Sequence, residues 1–262
     1  MIDIHTHILP EIDDGSRNIE ESLLQLELMS RAGVTDIVCT PHYISNYYNN
    51  NRDIIEPKLA KLQAEADAQN INIKLHKGIE ILLDSKSVEK IKQEEFNING
   101  SKYVLVESEM RAFPADFKEI LYNLVKSGYK PILAHPERYF DIIRNPSLAE
   151  DFMHRNVYMQ INAGSLLNHY GKESRKVAWK LIENGWAHFI ASDNHCRFDE
   201  YILPTAIEQI RNEIDDYTAN LLSKGNPSKM LNNEQINMFY VSEFSKEKNK
   251  SLFKKIREFI GK

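Results

Sequence analysis

Residues 130–135 read Lys-Pro-Ile-Leu-Ala-His, a short apolar run that ends on a histidine. Residues 102–107 read Lys-Tyr-Val-Leu-Val-Glu and end on a carboxylate in the same way. Continuous apolar runs of this length, each followed by a segment of helical period, are typical of buried strands in parallel sheets. The two stretches therefore predict strands of one parallel sheet, each with a polar side chain at its end.

The same alternation of strand and helix runs along the chain about seven times. Strands are predicted near 2–5, 35–39, 73–80, 102–107, 130–134, 157–161 and 187–191. Helices are predicted near 19–32, 53–69, 115–127, 147–155, 172–184 and 200–212. Gly33, Gly128 and Gly185 follow three of these helices, where a left-handed cap is common. The repetition predicts an α/β fold and favours a seven-stranded (β/α) barrel over an open doubly wound sheet.

Length and composition exclude several classes of protein. The 262 residues, with 42% hydrophobic and 27% charged side chains, fit one globular domain with a single core. A formal net charge of −5 argues against nucleic acid as a partner. Two distant cysteines, no secretory signal and no membrane-spanning run predict a cytoplasmic protein.

Histidines and carboxylates gather where the predicted strands end. The residues so placed are His5, His7, His42, Glu80, Glu107, His135, Asp193 and His195. The C-terminal ends of barrel strands meet at one rim, so separated segments would converge there. Each residue alone is more often structural, but together they form the donor set that zinc, manganese and iron accept.

Four other histidines serve as a comparison, because they do not end strands in the same way. His76, His154, His169 and His188 are interpreted as structural, with His169 the least certain because its loop also follows a strand. Other catalytic signatures are absent: neither cysteine is followed six positions later by arginine, and there is no Walker-type or Gly-x-Ser-x-Gly motif.

These segments resemble the polymerase-and-histidinol-phosphatase (PHP) superfamily of metal-dependent phosphoesterases. The matching motifs are His5-Thr6-His7, Asp13-Asp14-Gly15-Ser16, Thr40-Pro41-His42, Gly78-Ile79-Glu80, Val106-Glu107, Ala134-His135-Pro136-Glu137-Arg138-Tyr139 and Ser192-Asp193-Asn194-His195. The first two motifs, which lie in one stretch from His5 to Ser16, and the sixth look most like the manganese-dependent protein-tyrosine phosphatases of bacterial capsule and exopolysaccharide operons. The resemblance implies a distorted (β/α)7 barrel of the PHP type as a single domain over 1–262, with a C-terminal extension from about 225.

The resemblance also implies three divalent ions, manganese being favoured over iron or zinc. His5 and His7 would hold one ion, with Glu80 bridging and Asp193 completing it. Glu107 and His135 would hold a second ion, with Glu109 as a rival to Glu107. Asp14, His42 and His195 would hold the third. Arg138 would bind the phosphate, since a guanidinium matches phosphate oxygens bidentately.

The implied reaction is direct hydrolysis of phosphotyrosine by activated water, without a covalent phosphoenzyme. The implied partner is the phosphotyrosine-bearing tail of a membrane-associated bacterial tyrosine kinase. The protein itself would come at most peripherally near the membrane. Arg111 and the loop 43–52 are hypothesised to line its approach. Segment 225–245 is interpreted as irregular. Segment 246–262 is interpreted as a basic amphipathic helix that either closes the fold or contacts a partner or a membrane surface.

Three alternatives stay open. A small-molecule phosphatase of the same superfamily, for instance one acting on histidinol phosphate, would use the same residues. A non-catalytic partner of the kinase would keep the metal for folding alone. An amidohydrolase barrel is disfavoured because Glu80 stands where those proteins usually carry a modified lysine.

Overall fold

The structure is a computed structural model and describes residues 1–197 and 200–238. The predicted helix at 246–262 lies outside the described residues. The strands of the described part are β1 (Ile2–Thr6), β2 (Asp36–Cys39), β3 (His42–Ile44), β4 (Tyr48–Asn49), β5 (Lys74–Lys77), β6 (Glu80–Leu82), β7 (Tyr103–Glu107), β8 (Lys130–Ala134), β9 (Tyr158–Asn162) and β10 (Phe189–Ala191).

Helices follow most of these strands, as the sequence predicts. They are α1 (Ile19–Arg31), α2 (Arg52–Ala68), α3 (Ser87–Glu94), α4 (Phe117–Lys126), α5 (Phe140–Arg144), α6 (Ser147–His154), α7 (Ala163–Leu166), α8 (Lys172–Glu183), α9 (Leu203–Glu213), α10 (Asp216–Asn220) and α11 (Asn226–Leu231). Short 3₁₀ turns lie at Ile98–Gly100 and Pro136–Arg138, and a π-helical segment at Leu221–Gly225. The prediction of irregular chain after 225 is wrong for α11, whose Met230 is buried in the core.

The strands form two sheets that are mostly parallel. The smaller sheet has the order β1-β2-β5, and the larger has the order β10-β9-β8-β7-β6-β3-β4. Only the β3–β4 pair is antiparallel among the paired strands described. This succession confirms the α/β class and the order expected of a distorted barrel.

The third predicted strand, 73–80, is divided between the two sheets. β5 pairs with β2, whereas β6, which begins only three residues later, pairs with β3 and β7. The chain crosses at Gly78, where a Cβ atom would lie 2.5 Å from Val38 Cγ1. Close packing at this crossing therefore requires glycine, and the split distorts the barrel.

The first and last strands meet at a seam. Beyond the end of β10, Asp193 N donates to His5 O at 3.0 Å and His7 N donates to Asn194 O at 2.9 Å. Buried Asp3 of β1 accepts hydrogen bonds from the backbone N and hydroxyl of Ser192 and from Tyr201 Oη at 2.8 Å. Two isolated backbone bonds and one buried carboxylate thus join β1 to β10 in place of a continuous ladder.

Core packing follows the sequence pattern. The residues of β1, β7, β9 and β10 are all buried, including the polar side chains that alternate with apolar ones in β1 and β9. The amphipathic helix α4 turns Phe117, Ile120, Leu121 and Leu124 inward. α1 is capped by Asn18, whose side chain accepts from Glu21 N, and is followed by Gly33 at φ 85°. No helix in the described ranges is both long and apolar enough to cross a membrane.

Candidate metal centre

The nine side chains expected to bind metal come together at one end of the sheets. They are His5, His7, Asp14, His42, Glu80, Glu107, His135, Asp193 and His195. Six of them stand near or just beyond the C-terminal end of a strand, and Asp14 lies on the loop after β1. His42 and Glu80 are instead the first residues of β3 and β6, so the expectation that Glu80 ends a strand is wrong: the predicted strand 73–80 divides before it. Convergence of parallel strand ends therefore produces the cluster.

Glu80 occupies the centre of this cluster. Its Oε2 atom lies 3.0 Å from His5 Nε2, 3.3 Å from His7 Nε2 and 3.2 Å from His42 Nδ1. Its other oxygen, Oε1, lies 3.0 Å from His135 Nε2. One buried carboxylate thus faces four imidazoles, which is the arrangement needed for a bridging ligand.

Three groups of donor atoms are close enough to hold an ion each. They are His5 with His7 and Asp193, His42 with Glu80 and Glu107, and His7 with Asp14, His42 and His195. The third group is nearest to solvent, because the Asp14 side chain is 41% exposed. His42 belongs to two groups because it presents Nδ1 to Glu107 at 3.1 Å and Nε2 to Asp14 at 3.6 Å.

The grouping departs from the expected one at His135. Glu107 lies beside His42 Nδ1, whereas His135 contacts the opposite oxygen of Glu80 and its Nδ1 has no hydrogen-bond partner. Glu107 itself ends β7 and is buried, and Glu109 lies exposed two residues beyond the strand. The geometry favours Glu107 over its rival.

The buried donors fit a cation at this place. Nδ1 of His5 faces Gln160 Oε1 at 2.8 Å and Nδ1 of His7 faces Asp13 Oδ2 at 2.7 Å, so each Nδ1 carries the proton in the neutral ring. Both Nε2 lone pairs then point toward each other at 3.2 Å and toward Glu80. Glu80 Oε2 has no hydrogen-bond partner despite its burial. Facing lone pairs of this kind suit a positive ion between them.

The pKa values respond to the same accumulation of acid groups. Burial opposes the charged form of His5, but the carboxylates of Glu80 and Asp193 outweigh it and raise its pKa to about 9. Burial likewise opposes ionisation of Glu80, yet His5 and His135 hold its pKa well below the usual range. The pocket therefore favours positive charge on its donors, and a bound divalent ion would provide it in place of protons.

Two residues of the cluster have unusual backbones. His135 has φ 38° and Asp193 has φ 54°, both in the left-handed region that non-glycine residues seldom adopt. Each follows a parallel strand and re-aims its side chain into the site. Backbone strain of this kind is concentrated at functional sites, where surrounding structure compensates for it.

Arg138 lies at the edge of the cluster. Its Nη1 donates to Asp193 Oδ2 at 3.2 Å, and its guanidinium stacks on the ring of Tyr170 with Cζ 4.2 Å from the centroid. The side chain is 26% exposed, so it remains accessible from solvent. It is therefore placed to contact an anion that approaches the carboxylate and imidazole groups.

The sequence did not identify the residues that orient these donors. Asp13 Oδ2 accepts from His7 Nδ1 and from His42 N at 3.1 Å, and Asp13 Oδ1 accepts from Gly15 N at 2.9 Å. Gln160 and Asn162 contact His5 and Asp193. The only sequence signal for Asp13 is its place beside Asp14. Gln160 and Asn162 have no such signal, because polar residues are ordinary in an alternating strand such as β9.

The comparison histidines lie apart from the donor groups. His76 Nε2 pairs with Asp36 Oδ1 at 2.8 Å, and buried His188 bonds to backbone atoms of Met159 and Met238. His154 is exposed at the end of α6. His169 differs from them, because it lines a cavity of about 220 Å³ together with Asp193 and His195 of the site.

The segment expected to be a loop lining the substrate's approach contains regular secondary structure. Residues 43–52 contain the β3–β4 hairpin, in which Tyr48 stacks on His42 with ring centroids 5.9 Å apart. The neighbouring Tyr47 is 73% exposed. Arg111 is exposed after β7. An aromatic hairpin therefore borders the cluster on the His42 side.

The fold and the site define a class: an α/β protein of the PHP and TIM-barrel-like kind, with side chains suited to divalent ions at the strand ends. The chain belongs to the CpsB/CapC family of capsular polysaccharide synthesis, whose family model matches residues 1–232. CapC of Staphylococcus aureus is 38% identical over 196 residues, which cover 74% of this chain and 77% of CapC.

One solved structure supports the same assignment, and a more distant one shares the fold. A structure from work on YwqE of Bacillus subtilis and CpsB of Streptococcus pneumoniae, described as metal-dependent tyrosine phosphatases, aligns with a TM-score of 0.86 and 29% identity. It covers 90% of this chain and 96% of that chain. Histidinol phosphate phosphatase of Lactococcus lactis shares the fold, with a TM-score of 0.58, 12% identity and coverage of 85% and 96%.

Proposed function

We propose that the protein is a metal-dependent protein-tyrosine phosphatase that hydrolyses phosphotyrosine on a tyrosine kinase controlling capsular or exopolysaccharide synthesis and export. The observation that carries this proposal is the position of Arg138, which borders the carboxylate and imidazole cluster and contacts Asp193. Kinship with metal-dependent tyrosine phosphatases supports the reaction. The kinase as substrate rests on the family's link to capsule synthesis.

The nine donors would hold up to three divalent ions, with Arg138 as the catalytic residue that contacts the substrate. Manganese is the proposed metal, and iron or zinc would suit the same mixture of imidazole and carboxylate. Such ions supply an activated water and an electrophile for phosphoryl oxygens when bound. Glu80, with one oxygen facing three imidazoles and the other facing His135, is the proposed bridge.

The chain's own residues would orient the ester. Arg138 would bind two phosphate oxygens, because its planar guanidinium matches them and Tyr170 holds it flat. The leaving tyrosine has an ordinary pKa of about 10, so its departure needs little assistance. The exposed hairpin aromatic Tyr47 and the more shielded Tyr48 border the side from which a peptide would arrive. A flexible kinase tail on the cytoplasmic side of the membrane fits this open rim.

The first experiment measures phosphate release from a phosphotyrosyl peptide. Protein stripped of metal is assayed, manganese is added back, and wild type is compared with Arg138→Ala. Arg144→Ala, which removes an exposed arginine from the nearby helix α5, is the matched control. We expect release that depends on manganese, falls at least about 100-fold in Arg138→Ala, and is unchanged in the control.

Other results would point to the alternatives. Faster turnover of histidinol phosphate than of the peptide would indicate a small-molecule phosphatase. Tight peptide binding without release under manganese, iron or zinc would indicate a non-catalytic partner of the kinase. Equal activity of the two arginine variants would remove Arg138 from the proposed site.

A further inference from the structure

A chain of buried amides connects His5 and Asp193, which belong to the same donor group of the candidate metal centre. His5 Nδ1 contacts Gln160 Oε1 at 2.8 Å, Gln160 Nε2 donates to Asn162 Oδ1 at 2.8 Å, and Asn162 Nδ2 donates to Asp193 Oδ2 at 2.6 Å. Gln160 and Asn162 are completely shielded from solvent. We call Gln160 and Asn162 the amide relay.

The Asp193 carboxylate, at one end of the relay, fixes the direction of every hydrogen bond in it. The Asp193 carboxylate accepts hydrogen bonds only, so Asn162 must turn its NH₂ group toward it. Asn162 Oδ1 then faces Gln160 and requires a donor there. Gln160 consequently presents its oxygen to His5, which must carry its proton on Nδ1. Reversing either amide would bring like groups together at hydrogen-bond distance without water to separate them.

This direction prepares both ends for a cation. At His5 it leaves the Nε2 lone pair facing Glu80 Oε2 at 3.0 Å. At Asp193 the hydrogen bond from Asn162 engages Oδ2, which also accepts from Arg138. The other oxygen, Oδ1, faces Nε2 of His5 at 3.4 Å and Nε2 of His7 at 3.6 Å. One oxygen of Asp193 is therefore held in place while the other remains available.

The strand itself holds the relay rigid. Gln160 and Asn162 are two positions apart on β9, so their side chains lie on the same face of the sheet. The backbone N of Asn162 donates to Glu137 Oε1 at 3.0 Å, and the same oxygen accepts from Ser165 Oγ at 2.6 Å. Packing and hydrogen bonds thus leave neither amide free to rotate.

We propose that Gln160 and Asn162 are positioning residues that fix the tautomer of His5 and the ligating oxygen of Asp193. The proposal rests on the metal centre proposed above. Partners that orient a ligating histidine or carboxylate typically change metal affinity by about 10- to 100-fold when removed. We therefore expect a loss in that range for either amide.

The test uses the full chain stripped of metal and titrated with manganese in a calorimeter. Gln160→Met and Asn162→Leu keep the side-chain volume but remove the hydrogen bonds. Asn226→Leu is the matched control, because Asn226 is an equally buried amide whose Nδ2 donates to His188 O, next to the start of β10 and away from the site. We expect the affinity to fall about 10- to 100-fold in the relay variants and to stay within about twofold in the control.

Folding of each variant is checked by circular dichroism, and Gln160→Asn provides a milder change. It keeps the amide chemistry but is one methylene shorter, so its oxygen cannot reach His5. In zinc-loaded protein, the His5 Nδ1 proton should give a slowly exchanging NMR resonance that is lost in Gln160→Asn. A persisting resonance, or affinity of a folded relay variant within about threefold of wild type, would overturn the relay.

Failure of the metal centre itself would look different. Wild-type protein that binds no manganese, iron or zinc would overturn the proposed function and the relay together. Normal binding by wild type and by both relay variants would overturn the relay alone.

Discussion

Glu80 is the residue on which the donor groups depend, because its two oxygens face four imidazoles. Replacing it with glutamine keeps the shape but removes the charge that offsets bound cations. We expect Glu80→Gln to lose at least about 100-fold in phosphate release and to bind fewer manganese ions per chain, as counted by elemental analysis after gel filtration.

His154→Ala serves as the control for that variant. His154 is exposed at the end of α6, away from the cluster, so its removal should leave both the metal count and the turnover unchanged. An equal loss in both variants would mean that activity follows general stability and not the position of Glu80.

His188 makes the stability of the fold depend on pH. Burial lowers its pKa to about 4, whereas an unfolded histidine titrates near 6.5. Between these values the unfolded chain binds a proton that the native protein excludes, so stability decreases as pH falls. At about pH 5 the difference amounts to about 2 kcal/mol.

We expect both proteins to lose stability when the pH falls from about 7.5 to about 5. The loss in free energy of unfolding should be about 2 kcal/mol smaller for His188→Gln than for wild type. Urea unfolding at both values measures the difference. His154→Gln, at an exposed position, should lose as much stability as wild type. An equal loss of stability in His188→Gln, His154→Gln and wild type would mean that protonation of His188 does not contribute to the pH dependence.

The sequence predicted the donors better than the residues that orient them. His135 and Glu107 follow apolar runs directly, so burial marks them as unusual. Gln160 and Asp13 look like ordinary polar residues in sequence, and their contacts to His5 and His7 depend on segments far apart in the chain. Hydrogen-bond partners of this kind cannot be identified from spacing alone.

At the scale of elements, the turn after β1 depends on Gly15. A Cβ atom there would lie 2.0 Å from His7 O and 2.5 Å from His7 Cβ. His7 has little room to move, since its N donates to Asn194 and its O accepts from Ser16. We expect Gly15→Ala to cost about 1–3 kcal/mol of unfolding free energy and to reduce phosphatase activity.

Gly225→Ala is the matched control for the glycine variant. Gly225 has helical dihedral angles, and an added Cβ would make ordinary contact at 3.4 Å with Leu221 Cδ1. Urea unfolding should show no loss of stability for it, or a gain below about 1 kcal/mol. A harmless Gly15→Ala would mean that the turn can shift without disturbing His7.

The large elements follow from periodicity, but the distortions do not. The seven predicted strands and six predicted helices all have counterparts, because buried runs and amphipathic faces are local features. The division of strand 73–80 is different, because it depends on pairing with β2 on one side and with β3 and β7 on the other, and on close packing of Gly78 against Val38. The β3–β4 hairpin is likewise too short for a periodic signal, and pairing of β3 with β6 stabilises it.

At the scale of the whole molecule, ions should stabilise the fold. The cluster gathers acids and imidazoles from β1, β3, β6 and β7 and from the segments that follow β1, β8 and β10. A ligand that binds only the native state shifts the unfolding equilibrium. Manganese at about 100 times its dissociation constant should add about 2.7 kcal/mol per site. Urea unfolding in chelator and in excess manganese measures this effect.

Glu80→Gln tests whether the added stability comes from the cluster. Its manganese-dependent gain should be smaller than that of wild type. An unfolding midpoint of wild type that does not change with manganese would contradict binding to the native state.

The seam between β1 and β10 governs when the protein can become functional during its synthesis. His5 is the first of the donors to be made, and Asp193 and the backbone partner Asn194 are made 188 or more residues later. Until then β1 exposes an unpaired edge, which is prone to association with other chains. No N-terminal fragment contains the complete donor set. The complete set of donors therefore forms late in biogenesis, and a chain truncated before residue 195 would lack part of the site however well its first strands folded.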